Sequence, residues 1–106
     1  IEATPDTPFF QIGESKYGKP ILDRVITRSQ SLHRSVKCAL VSMDSTLRSN
    51  LSVGLPLDLI TIKRDTLKIG SHINIDAQHQ YYAMINRQWS DSLRHAFHAM
   101  PDPDWL

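Results

Sequence analysis

Between Ser31 and Asn50 apolar side chains recur at threes and fours: Leu32, Val36, Ala39, Leu40, Met43 and Leu47. That stripe commits the stretch to an amphipathic helix of about five turns. Ser31 stands where an N-cap is needed, and the pattern fades by Ser49 or Asn50. Gly54-Leu55-Pro56 then blocks any continuation. A helix with one apolar face gains most of its stability from what covers that face, so the remaining segments must supply a second layer.

Those segments read as follows. Ile1 to Pro8 is a connector without periodicity, and Phe9 to Ile12 is a short strand ended by Gly13. A first helix follows, with Pro20 in its opening turn, where a missing N–H is harmless, and Ile21, Leu22, Val25 and Ile26 on one face. Arg28 to Ser31 interrupts it. Leu57 to Arg64 is near-continuously apolar and β-branched, so it reads as a strand. After a turn at Asp65 to Lys68, Ile69, Ser71, Ile73 and Ile75 alternate with Gly70, His72, Asn74 and Asp76. The two runs predict an antiparallel hairpin with one buried face. From Gln78 to about Met100 the period returns to helical, with Tyr81, Ile85, Trp89, Leu93, Phe97 and Met100 in a stripe. Pro101 to Leu106 forms a tail outside that helix. The order expected is strand, helix, helix, strand, strand, helix, an α+β class with a single unit over residues 9–100.

At 106 residues the chain is one domain or part of one. Its 12 basic and 11 acidic residues are interspersed and leave a net charge of +1, which offers no basis for nucleic-acid or acidic-lipid binding. Arg24, Arg28, Arg34 and Lys37 are interrupted by Glu14, Asp23 and Asp44, so they read as a solvated helix face. No apolar run approaches the roughly 18 residues of a membrane span. The single cysteine, Cys38, excludes an intrachain disulfide and sits among aliphatics as a small buried residue. His95 and His98 share a helix face at i, i+3, but no third ligand accompanies them and no metal site is assigned. Trp89 with Tyr81, Tyr82 and Phe97 reads as a core or interface stripe.

Two stretches carry chemical information. The first runs Phe9-Phe10-Gln11-Ile12-Gly13-Glu14-Ser15 into Lys16-Tyr17-Gly18-Lys19-Pro20, a strand, a glycine-bearing turn and a helix start. The second, Met43-Asp44-Ser45-Thr46-Leu47-Arg48-Ser49-Asn50-Leu51-Ser52-Val53-Gly54, places hydroxyl and acidic residues at the end of the long helix. Together, over Phe9 to Phe97, they resemble the C-terminal half of the Anbu (ancestral β subunit) proteasome-like peptidases of bacteria, relatives of proteasome β subunits.

The resemblance implies half of a four-layer αββα sandwich of the N-terminal nucleophile hydrolase type. In that class an N-terminal threonine hydroxyl attacks a carbonyl carbon, with the chain's own free amine as base. This chain begins Ile1-Glu2-Ala3-Thr4, so the resemblance implies a nucleophile in an earlier stretch and a segment that is inactive by itself. What this half would contribute is a supporting shell. Ser15 is the nearest match to the family's Gly-Ser turn, with Glu14 directly after the glycine instead of serine. Asp44-Ser45 matches an Asp-Ser pair, and Ser49 and Ser52 follow at the helix end. Asp44 would hold the amine of the nucleophile through a charge-assisted hydrogen bond. The resemblance further implies a cytoplasmic homo-oligomer, ring or open helix, acting on a peptide or amide without cofactor. The alternative expectation is a non-catalytic structural module that mediates subunit association.

Overall fold

The computed structural model of the protein describes residues 2–12 and 16–106. Among these, the chain forms α1 (Lys19–Val25), α2 (Leu32–Ser49), β1 (Leu57–Ile62), β2 (Ile69–Ile75) and α3 (Gln80–Ala99). The start of α2 is fixed as its composition demands: the Ser31 hydroxyl accepts from the Arg34 amide at 3.2 Å, a cap worth about 1 kcal/mol. In α3 the same job falls to a side chain outside the usual capping set, with His79 Nδ1 accepting from the Tyr82 amide at 3.2 Å. Pro20 occupies the first turn of α1, where its missing donor costs nothing.

Helix α2 is the middle of the molecule. It contacts both α1 and α3 and lies over the hairpin. Leu40, Ile75 and Tyr82 form the buried core, joined by Val36, Leu47, Leu57 and Leu59. Each such side chain, once covered, contributes about 1.5–3 kcal/mol. The strands pair antiparallel, Leu57 with Ile75 and Leu59 with Ile73, so these four share one face. Asp58 lies on the other face, where Asn74 Nδ2 and His72 Nε2 approach its Oδ1 at 3.3 and 3.4 Å. The Asn74 hydrogen bond first, and then that of His72, holds the Asp58 carboxyl below the usual carboxylate range. The register shifts between Thr61 and Ile62. Gly70 sits at this bulge, 3.4 Å from the Thr61 carbonyl at the nearest point of an added Cβ.

Three sequence expectations need correction. Phe9 to Ile12 joins no β-ladder, and Ile12 is 98% exposed. A strand exists only where a neighbour takes its backbone hydrogen bonds, and the sheet among the described residues pairs β1 with β2 alone. The element order among described residues is therefore helix, helix, strand, strand, helix. The hairpin face expected to be buried is covered only at the Leu57–Ile75 end, and Ile69, near the turn, stays 62% exposed. Along α3 the covered side chains are Tyr82 and Ile85, while Tyr81, Leu93, Phe97 and Met100 face outward. For the hairpin and α3 the apolar pattern was read correctly as a face, but the described residues supply no layer for all of it.

Candidate functional site

Because α2 is flanked on both sides, its polar residues divide between two walls. Ser42 and Thr46, one turn apart, face Gly18 in the turn before α1. A Cβ on Gly18 would lie 2.4 Å from Ser42 Oγ and 2.9 Å from Thr46 Oγ1, so only glycine permits the approach. Thr46 Oγ1 donates back to the Ser42 carbonyl at 3.0 Å, which satisfies a buried hydroxyl locally. Asp44 lies two residues from each, about 200° round the helix, and therefore points toward α3.

There Asp44 is 1% exposed. Its Oδ1 accepts from Asn86 Nδ2 at 2.6 Å, and its Oδ2 stands 3.7 Å from Arg48 Nε. Arg48 Nη2 also reaches Asn86 Oδ1 at 3.4 Å, closing a three-membered network between α2 and α3. A buried carboxylate needs both a counter-charge and donors, and this network supplies one of each. Oδ2 accepts no hydrogen bond from a described residue, and the nearby Tyr82 hydroxyl has no such partner either. Burial first, and then the negative charge of Asp44, pushes the Tyr82 hydroxyl up to about 12, with Arg48 opposing. Asp44, Arg48, Tyr82 and Asn86 line a cleft of about 380 Å³ whose far lip is Val53-Gly54-Leu55.

The sequence-predicted residues are only partly brought together. Asp44, Ser45 and Ser49 line a second cleft between α2 and α3, with Arg48 beside them on α2 and Trp89 opposite on α3. Ser45 Oγ is engaged with the Val41 carbonyl at 3.2 Å. Ser52 sits apart in the turn that ends α2, where its amide and hydroxyl donate to Asn50 Oδ1 at 3.0 and 2.6 Å. That is an Asx-type turn and gives Ser52 a local task. Ser15 lies outside the described residues. Among the described residues no hydroxyl or thiol is hydrogen-bonded to an imidazole or a carboxylate. Cys38 is buried and its thiol is pushed up by desolvation, away from nucleophilic character.

Sequence reasoning missed Asn86 and the Ser42–Thr46 pair, and it named Tyr82 only as part of a core or interface stripe. The pair had a partial signal in the one-turn spacing of its two small hydroxyls, but the glycine it faces is visible only in the structure. Asn86 had none, because its role depends on a partner 42 residues away.

No protein-family model matches the sequence, and no curated protein matches it. Solved structures do. Anbu from Hyphomicrobium sp. strain MC1 is 53% identical with a TM-score of 0.92, over 98% of this chain and 45% of that one. Anbu (ancestral beta-subunit) from Yersinia bercovieri is 50% identical with a TM-score of 0.92, over 100% of this chain and 45% of that one. The helical assembly of the Anbu complex from Pseudomonas aeruginosa matches at 51% identity and a TM-score of 0.93, over 99% of this chain and 44% of that one. The chain thus spans less than half the length of the solved chains it matches.

Proposed function

The chain belongs to the Anbu family of proteasome-like subunits, and from that premise we propose that it is the C-terminal portion of a threonine-type peptidase or amidohydrolase subunit. The observation that carries this reading is agreement in both sequence and backbone, 50% identity or more with TM-scores above 0.9, over nearly the whole chain. In this reading the attacking threonine and its amine come from a preceding segment, and the substrate is a peptide or related amide. Asp44, Ser45 and Ser49 stand in the wall behind the reacting groups, and Ser15 and Ser52 are the further candidates for the supporting shell. Asp44 acts as a positioning residue: its bond to Asn86 fixes α2 against α3 and so holds the hydroxyl face of α2 toward the Gly18 turn. The subunit works in the cytoplasm as a homo-oligomer.

Intact mass and N-terminal sequencing of the complete protein test the premise, with a mature terminal threonine expected. Replacing that threonine by alanine is expected to abolish amide hydrolysis with assembly unchanged. A mature protein that starts at Ile1, or hydrolysis indifferent to the replacement, rules the peptidase reading out.

A second reading is a non-catalytic module for subunit association, and what supports it is the apolar surface at Phe97, Met100 and Trp105 left exposed at the end of the chain. The accessible area is 8665 Å², against about 6,000 Å² for a compact monomer of this mass. The two readings part on one measurement, amide hydrolysis by the purified assembly.

A further inference from the structure

We infer that the segment from Phe97 to Leu106 of one copy docks into the groove between α1, α2 and α3 of a second copy. This rests on the self-associating subunit described above and names the contact it uses. Every residue from Asp91 onward is exposed, including Phe97 at 70% and Trp105 at 80%. An aromatic pair with Met100 and Leu106 uncovered at the end of a helix marks a contact surface. The groove holds about 340 Å³, space for a single large side chain such as that of Trp105, and has a mainly apolar floor of Ile21, Val41, Ile85 and the half-buried Trp89. Arg34 and Lys37 form its lip, and neither has an ion-pair partner among the described residues.

Charge selects the occupant. The tail carries Asp102 and Asp104 between its prolines and Trp105, with no basic residue after His98. Two acids flanked by aromatics match two cations above an apolar floor. Return of the tail to its own groove is opposed by local geometry. Met100 is extended, with φ −74° and ψ 136°, and Pro101 and Pro103 keep the chain running away from α3. A contact between different surfaces of identical subunits propagates, closing as a ring or running as an open helix.

Sedimentation velocity on the complete protein, at low and high salt, reads the contact. Trp105→Ala is expected to weaken self-association about thirtyfold, as loss of a buried aromatic anchor does. Arg34→Glu with Lys37→Glu is expected to weaken it about tenfold at low salt, and Asp102→Lys with Asp104→Lys likewise. Mixing these two charge-reversed proteins restores association. A photoreactive group at position 105 cross-links to the peptide carrying Arg34 and Lys37, between isotopically light and heavy copies. Association unchanged by every substitution overturns the docking while the oligomeric subunit stands. A cross-link confined to one chain overturns the second-copy assignment. A monomeric wild type overturns both.

Discussion

Asp44 shows how much one residue's meaning depends on what it faces. On a helix of mixed polarity an aspartate is ordinarily solvated, yet here it is buried and bound to Asn86. Removing the partner leaves a buried carboxylate with one donor fewer, so Asn86→Ala is expected to cost about 2 kcal/mol in denaturant unfolding. Tyr82 titrates in consequence. Its pKa is raised in the folded state to about 12, above the ordinary tyrosine value of about 10, so the folded protein holds its proton where the unfolded chain has lost it. Stability from this group is therefore complete below pH 10 and falls through pH 12, by about 2 kcal/mol. Unfolding measured from pH 9 to 12 in wild type and Tyr82→Phe isolates the difference, which vanishes in the variant.

At the scale of elements, two contacts decide how the pieces meet. The turn before α1 approaches α2 only because Gly18 lacks a Cβ, so Gly18→Ala is expected to destabilise by about 1–3 kcal/mol. Ser42→Ala in the same molecule removes the nearest clashing atom and recovers part of the loss in thermal unfolding, provided Thr46 is untouched. The hairpin turn holds Leu67 at φ 52° with its side chain in solvent. A leucine pays for that left-handed conformation without return, whereas asparagine tolerates it. Leu67→Asn is expected to stabilise by about 1 kcal/mol, read as a rise in unfolding midpoint. The missing strand at Phe9 to Ile12 belongs to this scale too. Its composition was right for a strand, but a ladder needs a second chain segment alongside.

Across the whole molecule, the radius of gyration is 15.9 Å and the extents are 57 × 35 × 25 Å. A compact domain of this length has a radius near 13 Å. Helix α3 contributes to the difference, since every residue from Asp91 onward is exposed. The hairpin adds Ile60, Ile62 and Ile69 to the uncovered apolar surface. The 106-residue chain expressed alone is therefore expected to bind the dye ANS and to aggregate. The complete protein should bind far less under the same conditions. Equal dye binding would mean that the hairpin face is not covered by the rest of the polypeptide, nor the end of α3 by a second copy.

Local rules were sufficient for the three helices and the hairpin: the Ser31 cap, Pro20 in a first turn, the stops at Asn50 and Gly54, and the period change from two to 3.6 after Ile75 are written in neighbouring residues. The Asp-Ser stretch at the end of α2 was equally legible as a pattern, and with it the family. What no periodicity encodes is which face finds a partner. Only packing decided that Asp44 meets Asn86 while Ser42 and Thr46 meet Gly18, and that the stripe of α3 is covered at Ile85 and bare at Phe97. Burial is a relation between distant segments, and a sequence pattern records only one side of it.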